Sequence, residues 1–135
     1  MNAFDPEVIL IFSADSAEAA PIAVPLGQAG FVVVESLSTD AIPALLSRWR
    51  PRMAIVDWNL PDSAALAVIR AIRTDAQFSR IAVVLTGPEI HCEDKVFLLE
   101  SMIDYCLDGP VYPREWVARV RAILRRTPKA ITATN

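Results

Sequence analysis

Cysteine, histidine and glycine are scarce in this sequence, and each shortage closes off a class of chemistry. The two cysteines, Cys92 and Cys106, are too few for a disulfide scaffold and too far apart for a Cys-x-x-Cys metal or redox motif, so both are expected to be reduced thiols of a cytoplasmic protein. The single histidine, His91, cannot build a multi-histidine metal site and is expected in a solvated loop near Gly87-Pro88. None of the four glycines falls in Ser13-Ala14-Asp15-Ser16, the turn after the first apolar run. Dinucleotide fingerprints and P-loops need glycine there so that backbone N–H groups can approach a phosphate, and both are excluded. No Gly-x-Ser-x-Gly elbow supports a hydrolase, and no enzymatic activity is expected. Basic residues are also short in number, thirteen against sixteen acidic ones, and the net charge of −3 excludes a uniformly basic nucleic-acid binder. A membrane span is absent too. The longest uncharged stretch, residues 19–34, is broken by Pro21, Pro25, Gly27 and Gly30. No basic n-region accompanies Asp5 and Glu7, so the N-terminus does not resemble a secretory signal.

What is present is core-forming material. Hydrophobic residues make up 53% and charged residues 21%, against usual values of ~45–50% and ~25%. The 135 residues suffice for one domain, expected over 1–127, with 128–135 a polar tail or the start of a linker. Apolar runs at 8–12, 31–34, 53–56, 81–85 and, more weakly, 105–107 alternate with helical spacing at 16–28, 40–49, 63–74, 93–102 and 114–126. The first four runs lack polar alternation, as strands covered on both faces do, and so predict a parallel sheet between two helical layers. In 114–126, Trp116, Val117, Val120, Ile123 and Leu124 share one face, and Pro113 suits the first turn. Pro25 is expected to kink or end the first helix. Five βα units in this order predict a doubly wound α/β fold whose ligands sit at the carboxyl ends of the strands.

The loops to inspect are therefore 13–16, 57–61, 86–88 and 108–110. Asp57 directly follows a buried run and precedes Trp58-Asn59-Leu60-Pro61-Asp62. Taken alone, such an aspartate is a turn former or a helix cap. Thr86 ends the fourth run at the same sheet edge, where its hydroxyl could meet a group held on Asp57; taken alone, it is an ordinary β-branched strand residue.

Three segments carry a family resemblance: Pro51-Arg52-Met53-Ala54-Ile55-Val56-Asp57-Trp58-Asn59-Leu60-Pro61-Asp62, Ile81-Ala82-Val83-Val84-Leu85-Thr86-Gly87, and the stretch from Pro110-Val111-Tyr112-Pro113 to Arg126. Over residues 8–126 the chain resembles the receiver domains of response regulators in two-component signalling, and its last segment is similar to receivers that precede winged-helix DNA-binding domains. The resemblance implies a flavodoxin-like sheet of order 2-1-3-4-5 with five helices on both faces. It implies that Asp57 accepts a phosphoryl group from a histidine kinase. Thr86 would contact the phosphoryl oxygens and couple them to helix reorientation, and the Asn59 carbonyl would be a Mg²⁺ ligand.

This sequence departs from the family pattern in places that matter to that chemistry. The acidic pair that holds Mg²⁺ aligns with Ser13 and Ala14, leaving Asp15 at a flanking position. Gly109 replaces the lysine before the Pro110 position, and the switch aromatic aligns with Cys106, next to Tyr105. Phosphoryl transfer to a carboxylate brings negative charge onto negative charge and depends on cations and fixed donors. A Mg²⁺ site built from Asp15, Asp57 and Asn59 is expected to be weak or absent. Most of the like-charged neighbours that Asp57 would have in an intact site are also missing.

With the pocket weakened, signalling falls to a surface. Val96-Phe97-Leu98-Leu99 places four apolar residues in succession on one predicted helix, and a single face cannot bury them all. Receivers of the resembled kind dimerise symmetrically through the fourth helix, fifth strand and fifth helix, using intermolecular ion pairs. Lys95 with Glu115 and Asp104 with Arg126 match such pairs, whereas Tyr105 stands where an acid would face Arg119. Phe97 and Leu98 would supply most of the affinity and the exposed ion pairs the register. The arginines of the last helix are expected on a solvated face, without nucleic-acid contact by this domain. The expectation is a cytoplasmic, atypical receiver that acts mainly through protein contacts, its partners being a histidine kinase, another signalling protein or a second copy of itself. Two alternatives stay open: a working phosphoacceptor on Asp57, and a small-ligand sensor using the pocket vacated at Ser13, Ala14 and Gly109.

Overall fold

The computed structural model describes residues 6–36, 40–61, 64–87, 102–108 and 111–127. Five strands, β1 (Val8–Phe12), β2 (Val32–Ser36), β3 (Met53–Asp57), β4 (Ala82–Gly87) and β5 (Tyr105–Asp108), form one parallel sheet of order β2-β1-β3-β4-β5. Four helices are described: α1 (Ser16–Gln28), α2 (Ile42–Trp49), α3 (Ala64–Arg73) and α4 (Pro113–Arg126). The predicted helix at 93–102 lies outside the described residues, as do His91, Cys92 and the expected tail at 128–135.

The alternation of side chains along each strand explains why both faces are apolar. Leu10, Phe12, Ala54, Val56, Val83 and Leu85 point to one side and pack with Ile42 and Leu46 of α2 and Val68, Ile69 and Ile72 of α3. Ile9, Ile11, Met53, Ile55, Ala82 and Val84 point to the other side and meet Ile22 and Leu26 of α1 and Trp116, Val120 and Ile123 of α4. Each fully buried side chain of this size contributes roughly 1.5–3 kcal/mol, so the two layers dominate stability. Tyr105 and Cys106, adjacent on β5, accordingly fall on opposite faces, Tyr105 against the α1/α4 layer and Cys106 against the α2/α3 layer.

Helix α1 has the expected bounds, and Pro25 does not end it. Helix α1 runs through both Pro21 and Pro25 to Gln28. The two prolines deprive the carbonyls of Ala17 and Pro21 of their partners, but both of those residues are exposed, so water can satisfy them. Ala19, Ile22 and Leu26 meanwhile hold the buried face to the sheet. Helix α2 starts two residues later than expected, after Ala41 in a left-handed conformation, with Pro43 in its first turn.

Two arginines tie loops to the strand ends. Arg73 donates to the carbonyls of Met102 (2.7 Å), Ser79 (2.8 Å) and Ile81 (2.7 Å) and pairs with Asp104 at 2.8 Å. Arg52 pairs with Glu7 and donates to the carbonyls of Leu124 (3.3 Å) and Thr127 (3.0 Å), which joins the start of β3 to the end of α4.

Candidate functional site

The carboxyl ends of β1, β3 and β4 meet at one edge of the sheet, and parallel pairing sets Asp57 beside Thr86 in register. The chain turns immediately after Asp57. The Trp58 N–H donates to the Thr86 carbonyl (2.7 Å), the Asn59 N–H to Asp57 Oδ1 (2.9 Å) and the Leu60 N–H to the Asp57 carbonyl (3.2 Å). Asp57 thus is the turn former that its position suggests, and its half-buried carboxylate also faces a cleft. Gly87 closes the β4 side at φ +156°. A Cβ there would stand 3.2 Å from Trp58 Cβ and 3.4 Å from Asn59 Nδ2, so the close approach of the two strand ends needs glycine.

The cleft holds about 270 Å³ and is lined by Ile11, Phe12, Ser13, Glu18, Ile22, Asp57, Asn59, Thr86 and Gly87. Asp57, Thr86 and Asn59 are therefore brought together as the sequence suggests. Asp15 is not among the lining residues. Its carboxylate accepts the Glu18 N–H at 2.8 Å and caps the N-terminus of α1, a physical reason for its absence from the cleft. Ser13 is buried, and its hydroxyl donates to the Asp15 carbonyl at 3.0 Å, which directs it into its own loop. Gly109 and Pro110 lie outside the described residues.

The residue that sequence reasoning missed is Glu18. It occupies the third position of α1 and lines the cleft together with Asp57. Interaction with the Asp57 carboxylate, through hydrogen bonding and then charge, followed by desolvation and the charge of Asp15, raises the Glu18 carboxyl above its usual range. Glu18 thus holds a proton more readily than a free carboxylate. A signal was available, because Asp15-x-x-Glu18 has capping-box spacing and Glu18 stands one turn before the cleft residue Ile22. Among the described lining residues α1 supplies one like-charged neighbour of Asp57.

In kind, the oxygens of Asp57, Glu18 and the Asn59 carbonyl suit a hard divalent cation. In number they fall short. Among the described residues no group of three His, Cys, Asp or Glu is gathered as a metal site, and the third carboxylate, Asp15, serves the helix cap. Nor does a lysine or arginine line the cleft among the described residues.

Several of the expected interface residues have partners within the chain. Asp104 is held by Arg73 and also accepts the Val83 N–H at 2.8 Å. Glu115 pairs with Arg119 at 3.0 Å within α4, and Arg119 donates to the Tyr105 hydroxyl while its guanidinium stands 5.3 Å from the ring centroid. Arg126 is exposed and lines a shallow cleft of about 300 Å³ with Tyr105, Glu115 and Arg119. Lys95, Phe97 and Leu98 lie outside the described residues.

Comparison with known proteins places this arrangement. No family model matches the chain. It is 30% identical over 121 residues to the phosphate regulon transcriptional regulatory protein PhoB of Pseudomonas aeruginosa, covering 90% of this chain and 53% of that protein. It is 34% identical over 119 residues to the DNA-binding response regulator MtrA of Mycobacterium leprae, covering 87% and 51% respectively. The chain thus spans about half the length of the curated relatives it matches. Among solved structures, a putative response regulator from Chloroflexus aurantiacus superposes with a TM-score of 0.80 at 23% identity, over 90% of this chain and 100% of that one. The receiver domain of the TMAO respiratory system response regulator TorR gives 0.77 at 25% identity, over 91% and 100%. Among the described residues no helix is long and apolar enough to cross a membrane. Sheet order, the Asp57–Thr86 pairing at the strand ends and the relatives agree: the chain belongs to the response-regulator receiver domains of two-component signalling.

Proposed function

We propose that this receiver is atypical: it transmits signals mainly through protein contacts, and Asp57 is a weakened phosphoacceptor. One observation carries the reading. The cleft gathers Glu18 and Asp57 in one lining and, among its described lining residues, offers no cation to offset the charge of an incoming phosphoryl group. Thr86 and the N–H groups of the 57–60 turn still supply polar partners, which permits slow transfer. Mg²⁺, if it binds, would be held by Asp57 and the Asn59 carbonyl and would neutralise phosphoryl oxygens; with Asp15 committed to a helix cap, that binding is weak.

The partners proposed are a histidine kinase or another signalling protein, and a second copy of this chain through the predicted 93–102 helix, β5 and α4. The domain is a cytoplasmic signalling module, neither an enzyme nor a direct binder of nucleic acid. Asp104 and Glu115 already have partners within the chain, so an intermolecular pairing with Arg126 or Lys95 exchanges one ion pair for another. Affinity then rests on the apolar residues Phe97 and Leu98.

A second reading, in which Asp57 is an efficient acceptor, draws on its register beside Thr86 and on relatives that are regulators by name. Mass spectrometry after treatment with acetyl phosphate and Mg²⁺ separates the two. Slow, substoichiometric addition that disappears in Asp57→Ala is expected; rapid stoichiometric labelling overturns the first reading in favour of the second.

A further inference from the structure

We propose that a second cleft, at the amino-terminal edge of the sheet and away from the Asp57 edge, is a binding site for a nucleoside monophosphate, with the phosphate on Arg121 and Arg125 and the base against Phe31. It shares no lining residue with the Asp57 cleft, so the inference stands apart from the phosphoacceptor reading.

The backbone builds the floor. Glu7, Phe31 and Arg52 immediately precede β1, β2 and β3, and parallel pairing sets them side by side. The Val32 N–H donates to the Glu7 carbonyl at 3.0 Å, and the Arg52 N–H to the Val8 carbonyl at 2.9 Å. The end of α4 forms the wall with Arg121, Leu124 and Arg125, and the six residues enclose a cleft of about 250 Å³. Arg52 ties wall to floor through its pair with Glu7 and its N–H bonds to the carbonyls of Leu124 (3.3 Å) and Thr127 (3.0 Å). The cleft is therefore shaped before a ligand arrives, which lowers the ordering cost of binding.

Charge then selects the ligand. Three arginines against one carboxylate leave an excess of two positive charges in the lining. Arg52 and Glu7 offset each other, whereas Arg121 and Arg125 are exposed and have no ion pair among the described residues. They stand one turn apart on α4, where like charges repel. The end of a helix carries a partial negative charge of about half an elementary unit, felt only in the last turn. Arg125 and Arg126 already occupy that turn, so the dipole does not account for Arg121. A phosphate monoester, with up to two negative charges, matches the two uncompensated guanidinium groups. The apolar part of the lining, half-buried Phe31 and buried Leu124, suits the flat face of a base. A nucleic-acid strand is the poorer match, because the two arginines sit in one turn of one helix and not along a track, and the whole chain carries −3.

Isothermal titration calorimetry of the full chain with adenosine monophosphate (AMP), adenosine and inorganic phosphate tests the assignment. AMP is expected to saturate one site per chain with a Kd below about 1 mM, and adenosine and phosphate each to bind at least about tenfold more weakly, since each lacks one set of contacts. Arg121→Gln and Arg125→Gln should each weaken AMP about tenfold, the worth of a charge-assisted hydrogen bond, while Arg114→Gln at the other end of α4 leaves it unchanged. Phe31→Leu should weaken AMP at least about threefold and leave inorganic phosphate unaffected. If Phe31→Leu loses its native circular dichroism, the arginine variants, at exposed positions, carry the decision. No saturation at about 10 mM AMP overturns the proposal, as does parent-like binding by the double variant Arg121→Gln/Arg125→Gln. Inorganic phosphate that binds as tightly as AMP overturns the nucleotide assignment. A single-stranded oligodeoxyadenylate that binds more tightly than AMP, and loses that affinity in the double variant, gives the cleft to nucleic acid and overturns the assignment as well.

Discussion

Replacing Arg73 tests how the chain between β4 and β5 is anchored. The guanidinium reaches three backbone carbonyls and one carboxylate at 2.7–2.8 Å, and its side chain is only 20% exposed. A hydrogen bond contributes a net ~1 kcal/mol, and more with a charged donor, so the three carbonyl bonds amount to about 3 kcal/mol. The Asp104 carboxylate is 44% exposed, which keeps the ion pair to less than about 1 kcal/mol. Arg73→Ala is therefore expected to lose about 3–4 kcal/mol, roughly 10–15 °C in melting temperature for a domain of this size. Urea unfolding followed by circular dichroism measures it, with an unchanged slope showing that the folded state is otherwise intact. Arg73→Lys keeps a charge for Asp104 but cannot present separate N–H groups to carbonyls on both sides, so it should recover less than half of the loss. An alanine variant that loses less than about 1 kcal/mol, or a lysine variant as stable as the parent, refutes the clamp.

Gly87→Ala places a Cβ 3.2 Å from Trp58 Cβ at a positive φ, and a loss of about 1–3 kcal/mol is expected in the same unfolding assay; a parent-like midpoint contradicts the need for close approach. Trp58, next to Asp57, should show no fluorescence change at millimolar Mg²⁺, and a saturable change would reveal a better metal site than the donor set suggests. Light scattering of the parent should report a dimer and of Phe97→Asp a monomer; monomers in both remove the proposed symmetric contact.

The layers of the fold were legible because burial on two faces removes polar alternation. The runs around Ile9–Phe12, Met53–Val56 and Val83–Leu85 could be nothing but covered strands, and the apolar stripe of α4 located its buried face. Asp57 and Thr86 were legible for a topological reason, since parallel strands deliver their carboxyl ends to one edge. Contacts that cross between elements were not. Arg73 and Asp104 are 31 residues apart, and no spacing rule links them, so their pairing within the chain could not be read from the sequence. Glu18 was not singled out, because nothing in its own spacing shows that α1 brings it to the cleft that Asp57 lines. That Pro25 would not end α1 was hard to read for a related reason: an interior proline is costly where its freed carbonyl is buried, and here that carbonyl belongs to the exposed Pro21.

The placement of positive charge connects these particulars. Arg73 and Arg52 direct their N–H groups at carbonyls of the frame, and Arg119 serves Tyr105 and Glu115 on the far side of α4. Each of these cations stabilises the scaffold, and none of them lines the cleft at Asp57. The scaffold can accordingly be rigid while the nucleophile stays poorly served, because the two draw on different residues. With no lysine or arginine among the described residues of the cleft, charge carried in by the donor should accelerate transfer at Asp57. A small acyl phosphate carries none, whereas a kinase surface can present a lysine or arginine over the cleft. The rate with a protein donor should therefore exceed the rate with acetyl phosphate by more than the difference in their intrinsic reactivities, and the excess should shrink as salt is added, since a cation brought by a partner acts through partly exposed solvent.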